Sequence, residues 1–237
     1  MVANGQLFGI AFDSRTGFVS GGGLQPLNLG ANFTSNPSCT SVGGGVAICA
    51  IRQGGGLLGF AFGLNGTSIQ TLNAQQLGGT SFAGSPSCVT PQDGSGQVIC
   101  GILTGGSPNT LVGFAFDPRN GFFRGFQNLL TAPMGNFGLF WPFVGNPGCA
   151  ASNDPVAPGS VTCAVVTSIS TVFATKFNPR GGTQGFKTIT TVNNVSRISS
   201  CITLAMDPNQ ITCAFTSNPG PAIAGSVVTA GGFDVPF

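Results

Sequence analysis

Eight cysteines are the residues of this 237-residue chain whose type and spacing could most readily do chemistry. They form four close pairs with separations of 10, 12, 14 and 12 residues: Cys39/Cys49, Cys88/Cys100, Cys149/Cys163 and Cys201/Cys213. A disulfide needs Cα atoms about 4.4–6.8 Å apart, a distance found between antiparallel strands that a short turn joins. Turn-forming residues such as Thr-Ser-Val-Gly-Gly-Gly separate the first pair. We therefore expect bonding within each pair, among the roughly 105 connectivities that eight cysteines allow.

Two other uses of the cysteines fit the sequence less well. Structural zinc sites favour Cys-x2–4-Cys spacing and often recruit histidine, and the chain has neither. Free thiols would not require even pairing that recurs four times. Because disulfides persist in oxidising compartments, the sequence predicts a secreted, extracellular protein with no metal site and no cofactor.

Catalysis is not expected from the remaining polar residues. The chain has no histidine, so the usual Ser-His-Asp and Cys-His arrangements cannot form. Glycoside hydrolysis generally needs two facing carboxylates. The acidic residues are all Asp, and Asp13 and Asp117 occupy equivalent turns of different repeats, where capping a turn is a sufficient role. We predict that the protein is not an enzyme.

The elements that position these residues are expected to be strands. Charged residues make up only 6% of the chain, against about 25% in an average globular protein, so few residues suit the wet face of a helix. Gly, Asn, Ser, Thr and Pro separate short runs of Val, Ile, Leu and Phe, which is typical of an all-β protein. A net charge of +2 provides no basic stripe for nucleic acid. No apolar run approaches the roughly 18 residues of a membrane span.

A repeated motif, Leu-x-Gly-x-Ala-Phe in its three clearest copies, follows the cysteine pairs and defines the repeating unit of the fold. A turn and a more polar segment such as Phe122–Leu129 come after it, so one unit contains two cysteine strands, the motif strand and an outer strand. Four antiparallel strands in about 50 residues are the signature of a β-propeller blade. The copies are Leu7–Asp13, Leu57–Gly63 and Leu111–Asp117, a worn copy Val172–Asn178, and a fifth at 223–228.

We therefore predict an all-β, single-domain β-propeller of four-stranded antiparallel blades, with four to five blades in the chain. The repeats fall at about 5–35 (partial), 36–84, 85–145, 146–197 and 198–237. The mode of closure stays open. The hairpin at 7–30 could complete the last cysteine hairpin at 199–216, or the ring could have five or more blades, or open edges could pair between subunits.

The stretch from Ser85-Pro-Ser-Cys88 to Asn128-Leu-Leu130 resembles the repeats of tachylectin-like and bacterial fucose-lectin-like β-propellers. The resemblance covers almost the whole chain and weakens beyond Ser170. It implies shallow sugar sites in or between blades, built from an aromatic face, an arginine and amide groups. The alternative is that the matching residues only stabilise turns and core. Candidate ligand residues on this resemblance are Arg15, Phe18, Arg119, Phe122 and Arg180.

An insertion lengthens the third repeat and concentrates large apolar side chains. It runs from Met134 to Phe143, and its interface candidates are Phe137, Phe140, Trp141 and Phe143. One interpretation is a loop packed over the propeller, and the other is a protein contact, since a large exposed apolar patch marks an interface.

Two functions are consistent with these features. The first is a carbohydrate-binding, lectin-like propeller that recognises glycans or a cell surface, in recognition or adhesion. The second is a structural protein that self-assembles into a homo-oligomer or filament through open blade edges, with a role as a fibre, coat or surface-layer subunit.

Overall fold

Short apolar runs and glycine-rich turns fold the chain into antiparallel strands. The computed structural model describes residues 1–12, 19–65, 68–79, 81–91, 93–134, 140–152, 158–179, 182–191, 195–203, 210–217 and 223–229. In the described residues the strands form five separate antiparallel sheets, which we call blades I to V in chain order. The architecture is a β-propeller, as the repeat predicts.

The strands have the following bounds. Blade I comprises β1 (Val2–Ala3), β2 (Gln6–Phe12) and β3 (Val19–Leu27); blade II comprises β4 (Ser38–Gly43), β5 (Val46–Gln53), β6 (Gly56–Asn65) and β7 (Ser68–Gly78); blade III comprises β8 (Phe82–Val89), β9 (Val98–Thr104), β10 (Thr110–Asp117) and β11 (Phe122–Thr131); blade IV comprises β12 (Phe143–Ala151), β13 (Val161–Thr167), β14 (Thr171–Asn178) and β15 (Gly182–Thr191); blade V comprises β16 (Val195–Thr203), β17 (Gln210–Ser217) and β18 (Ile223–Thr229).

Blades II, III and IV each have four strands in sequence order from the inside of the propeller to the outside. Their first strands contact one another across successive blades. The motif strand is third in each, as in β6 and β10, and a polar strand forms the outer edge. The predicted order of strands within a repeat is therefore the observed one.

The core consists of apolar layers between successive blades rather than one central cluster. One layer separates blades II and III and contains the buried rings of Phe114 and Phe116. Another separates blades III and IV and contains Phe143 and Phe177. Since blades III and IV each bury both of their faces, their second and third strands are almost continuously buried.

A disulfide joins the first and second strands of each cysteine-bearing blade. The bonded pairs are Cys39–Cys49, Cys88–Cys100, Cys149–Cys163 and Cys201–Cys213, each with Cα atoms 4.1 Å apart. The two cysteines of every pair lie directly opposite each other in the antiparallel register. These are the pairs that the spacing groups together.

The disulfides also contribute to contacts between blades. A Cβ atom on Gly101 in blade III would lie 2.8 Å from Sγ of Cys149 and 2.9 Å from Sγ of Cys163. The bond of blade IV therefore packs directly on the backbone of blade III, at the residue that follows Cys100. The cross-link stabilises a hairpin and fills a space between blades at the same time.

The strand pairing of blade V excludes one of the predicted modes of ring closure. Strand β18 pairs with β17 along its length, from Gln210↔Thr229 to Thr216↔Ile223. In the described residues β1, β2 and β3 form their own sheet. The hairpin at 7–30 therefore does not complete the cysteine hairpin at 199–216, because the third position of that blade is already filled. The described residues therefore form five separate blades.

Candidate binding cleft between the third and fourth blades

A cavity that could hold a small ligand lies between the outer parts of blades III and IV. Its volume is about 300 Å³, at the lower end of the range for ligand sites. We call it the interblade cleft. Its lining residues are Gly113, Phe114, Arg124, Gly125 and Gln127 of blade III and Phe177 and Pro179 of blade IV.

Two polar side chains of β11 define the chemistry of the cleft. Gln127 lies opposite Gly113 of β10, and Arg124 lies opposite Ala115, with a register shift between these two pairs. A bulge of this kind re-aims side chains along a strand. Arg124 is exposed, and Gln127 is half-buried. The sheet therefore presents a guanidinium and an amide to the same cavity.

The inner wall of the cleft depends on a glycine. The ring of Phe177, a residue only 1% exposed, lies so close to Gly113 that a Cβ there would be 2.5 Å from its Cε2 atom. A larger residue at 113 would displace this ring. Gly113 thus allows the fourth blade to approach the third while the wall of the cleft stays apolar.

The corresponding glutamines of blades I and II each form a hydrogen bond to the next blade. Gln25 and Gln75 share the register position of Gln127, each opposite the motif glycine of its blade. The Oε1 atom of Gln25 accepts a 2.8 Å hydrogen bond from the amide of Ile69 in blade II. The Nε2 atom of Gln75 donates a 3.1 Å hydrogen bond to the carbonyl of Gly121 in blade III.

A second bridge closes the interface between blades II and III. Asn73 lies opposite Ala61, as Arg124 lies opposite Ala115, and its Nδ2 atom donates to the carbonyl of Pro118. The equivalent of Pro118 in blade IV is Pro179, which lines the cleft. Among the described residues, neither Arg124 nor Gln127 has a hydrogen-bond partner in blade IV. The cleft therefore lacks the side-chain hydrogen bonds that link blade II to blade III.

The turn arginine Arg119, predicted as a ligand residue, is held by its own turn. Its Nε and Nη2 atoms donate to the carboxylate of Asp117 at 2.9 and 2.8 Å, and Nη2 also donates to the carbonyl of Gly96 at 3.0 Å. The side chain of Asp117 is 4% exposed and that of Arg119 is 36% exposed. The hydrogen bond to Asp117 raises the pKa of Arg119 above its ordinary value, burial opposes that rise, and the charge of Asp117 adds to it.

The other predicted ligand residues lie either outside the cleft or outside the described residues. Phe122 is half-buried and packs against the layer between blades III and IV, so its ring is largely used within the fold. Neither Arg119 nor Phe122 lines the interblade cleft. Arg15, Phe18 and Arg180 lie outside the described residues.

The described end of the insertion, residues 140–143, is packed more closely than a surface patch. Phe143 is 4% exposed and meets the ring of Phe173 edge-on, with ring centroids 6.4 Å apart. Asn109 holds its backbone through two hydrogen bonds, at 2.8 Å to its carbonyl and 2.9 Å from its amide. Phe143 is therefore a core residue, and its prediction as an interface residue is wrong. Phe140 and Trp141 are half-buried, and Phe137 lies outside the described residues.

A second cavity is the central channel, with a volume of about 350 Å³. The inner strands of blades II to V line it, and serine side chains tie adjacent strands together. Ser38 Oγ accepts a 2.8 Å hydrogen bond from the amide of Cys88, and Ser87 Oγ accepts a 2.9 Å bond from that of Cys149. These bonds hold neighbouring blades in register. Within the described parts of the chain there is no cluster of three or more metal-ligating side chains, and no helix with the length and apolar character of a membrane span.

Sequence reasoning missed both polar residues of the cleft. A signal for Gln127 was present, because Gln25, Gln75 and Gln127 all follow the motif strand in their repeats. The second repeat has Asn73 at the position that Arg124 occupies in the third, and this difference is also visible in the sequence. Neither signal shows by itself which interface is bridged, since that depends on the turn of the following blade.

Comparisons with solved structures agree with the propeller architecture. The chain is similar to AofleA from Arthrobotrys oligospora, with 14% identity and a TM-score of 0.60 over 94% of this chain and 62% of that one. A variant of AofleA with three arginines replaced by alanine matches at 13% identity and a TM-score of 0.60, with the same coverage. The Dos1 propeller matches at 13% identity and a TM-score of 0.50, over 93% of this chain and 52% of that one.

These likenesses show the fold alone. The chain spans less than two thirds of the length of each of these neighbours. No protein-family model matches the sequence, and no curated protein matches it.

Proposed function

We propose that this protein binds carbohydrate in the interblade cleft and acts outside the cell in recognition or adhesion. One observation carries the proposal: Arg124 and Gln127 face a cavity between blades III and IV, whereas Asn73 and Gln75 at the preceding interface bond to the next blade. These unoccupied polar groups are available to a ligand.

The chemistry of the cleft suits a sugar. A guanidinium offers several fixed donors, and an amide offers both a donor and an acceptor, so together they complement vicinal hydroxyl groups. Pro179 and the ring of Phe177 supply apolar walls against the carbon face of a sugar ring. The small, open volume favours one or two sugar units bound weakly.

Two further features support the proposal. The repeat resembles those of sugar-binding propellers, in which such ligands lie in or between blades. Four disulfides fit an oxidising, extracellular setting. We also propose binding without turnover, because the described lining of the cleft includes no carboxylate to act as acid or base.

A glycan array followed by calorimetric titration of the best ligand tests this function. We expect Arg124→Ala and Gln127→Ala each to weaken binding, about tenfold for the arginine, as expected for loss of one or two hydrogen bonds. Matched controls are Arg197→Ala and Gln70→Ala, since both residues are exposed and lie outside the cleft. Absence of glycan binding at millimolar concentration would refute the proposal, and so would equal affinity of the cleft variants and the wild type.

A second candidate function is self-assembly through an open strand edge, and one observation favours it. Ile10 occupies the motif position of Phe60 and Phe114, yet it is 47% exposed while those phenylalanines are each 1% exposed. In the described residues the N-terminal segment pairs with β2 at Gln6 and Leu7 and bonds to the backbone of Phe8 through Met1, so the inner edge of β2 beyond Phe8 has no neighbouring strand. A second copy of the chain could cover it.

A further inference from the structure

We infer that the interblade cleft selects an acidic sugar, whose carboxylate or sulfate group binds Arg124 while its hydroxyl groups bind Gln127. This inference rests on the proposed function and specifies its ligand class. The argument starts from what happens to the other arginines of the described structure.

The arginines that support the fold are saturated by acceptors of the protein itself. Arg52 donates from Nε to Oγ1 of Thr34, from Nη2 to the carbonyl of Thr34 and from Nη1 to the carbonyl of Phe82, at 2.7 to 2.9 Å. Arg119 is bound by Asp117 and Gly96. Each of these guanidinium groups therefore fixes one loop to another.

Arg124 differs because it lines a cavity and has no such acceptor among the described residues. Arg197 is also exposed, but it lies outside the cleft. A guanidinium without an internal acceptor keeps both of its donor edges for a ligand. Its planar fork matches a carboxylate or sulfate in bidentate geometry, which makes this the strongest class of contact it can form.

Within the described part of the chain, no acidic side chain near the cleft compensates the charge of Arg124. The described acidic residues are Asp93 and Asp117, and neither lines the cleft. Asp117 is already paired with Arg119, and Asp93 accepts a 3.0 Å hydrogen bond from the amide of Ser95 in its own loop. The potential in the cleft is therefore positive, and an anionic ligand gains from it where a neutral ligand does not.

The other polar group limits the ligand to more than a bare anion. Gln127 is neutral and half-buried, and it offers a donor and an acceptor beside Arg124. A simple sulfate ion uses the donor but leaves the acceptor unmatched, because it has no hydrogen to donate. A sugar that carries one acidic group and free hydroxyls satisfies both residues.

Matched pairs of sugars provide the test. Galactose 6-sulfate is compared with galactose, and glucuronic acid with glucose, by ligand-observed NMR titration of the full chain. We expect each acidic sugar to bind about tenfold more tightly than its neutral partner. We also expect this preference to shrink between about 20 mM and about 300 mM NaCl, since added salt screens an exposed charge pair.

The decisive variant is Arg124→Gln, which keeps a polar side chain and removes the charge. It should abolish the preference for the acidic sugars while retaining binding of the neutral ones. Arg124→Lys should retain part of the preference, because lysine keeps the charge without the bidentate fork. Thermal unfolding of both variants reports whether the fold is intact, and the exposure of Arg124 predicts that it is.

The outcomes separate the inference from the function on which it rests. Equal binding of acidic and neutral sugars, weakened together by Arg124→Gln, overturns the inference and leaves carbohydrate binding in place. A preference that survives Arg124→Gln overturns the assignment to this arginine. Failure of all four sugars, together with a blank glycan array, overturns both.

Discussion

The ring of Phe116 in β10 lies directly against the backbone of Gly59 in β6, in the neighbouring blade. A Cβ atom on Gly59 would fall 2.6 Å from Cε2 of this ring. Phe177 and Gly113 repeat the relationship at the next interface, where the corresponding distance is 2.5 Å. In both cases the third residue of one motif copy packs against the sixth residue of the next copy, so the repeated motif specifies how blades pack as well as how each strand forms.

This contact predicts that Gly59→Ala destabilises the protein. The added methyl group cannot fit unless the buried Phe116 ring moves, and overpacking of this kind costs about 1–3 kcal/mol of unfolding free energy. Urea denaturation followed by circular dichroism measures the change. Gly55→Ala is the matched control, because a Cβ there meets nothing within 4 Å. Equal stability of the two variants would show that the interface yields without cost.

The sequence was sufficient to predict the blade but not the contacts between blades. Cys88 and Cys100 are separated by turn-forming residues, so local chain geometry predicts their hairpin and its position in a repeat. Phe143 is different. Its burial depends on Asn109 and Phe173, which lie 34 and 30 residues away, and composition alone makes an apolar insertion resemble an exposed patch.

In the candidate site, too, some features follow from local sequence and others depend on a neighbouring blade. Arg119 and Arg124 are only five residues apart. Arg119 lies in the turn before β11, and Arg124 lies within β11. What separates them is the neighbour of each: Asp117 saturates one, while the other faces the gap beside Pro179. Local sequence shows the first relationship through the Asp-Pro-Arg turn. The second depends on the placement of the fourth blade.

The two arginines are therefore predicted to have opposite mutant phenotypes. Arg119→Ala should lower the unfolding free energy by about 1 kcal/mol, a figure kept small because its side chain is partly exposed to solvent. Arg124→Ala should leave stability unchanged and weaken glycan binding. Parallel urea titrations and ligand titrations of both variants measure these effects. Weakened glycan binding by a fully stable Arg119→Ala variant would return Arg119 to the ligand site.

The Arg119–Asp117 pair also predicts how this contribution to stability depends on pH. Because the pKa of Arg119 in the folded protein is raised above its value in the unfolded chain, the stabilisation from its side is fully present below that unfolded value. It is lost only as the pH rises through the folded-state pKa. The stability difference between the wild type and Arg119→Ala should therefore stay constant from neutral to moderately alkaline pH in urea titrations. A difference that fades well below the ordinary arginine pKa would contradict this assignment.

A fourth prediction transfers the hydrogen bond that links blades II and III to the interface between blades III and IV. Arg124→Asn places an amide where blade II has Asn73, opposite the carbonyl of Pro179 in place of that of Pro118. We expect the new hydrogen bond to close the cleft, abolish glycan binding and raise the unfolding free energy by about 0.5–1.5 kcal/mol. Arg124→Ala is the control, since it removes the guanidinium without adding a bridge. If both variants lose binding and neither gains stability, the cleft is not a missing bridge.

The fifth prediction concerns Ile10 and the second candidate function. This side chain is 47% exposed at a position where Phe60 is 1% exposed, and the neighbouring edge of β2 offers backbone groups to another strand. If copies of the chain associate there, multi-angle light scattering should show a mass that rises with protein concentration, and Ile10→Lys should suppress the rise by placing a charge on the edge. Ile169→Lys is the matched control, because Ile169 is 46% exposed in the turn between β13 and β14. A monomeric mass for the wild type at all concentrations, or equal association of both lysine variants, would remove this edge as an assembly surface and leave glycan binding as the function to pursue.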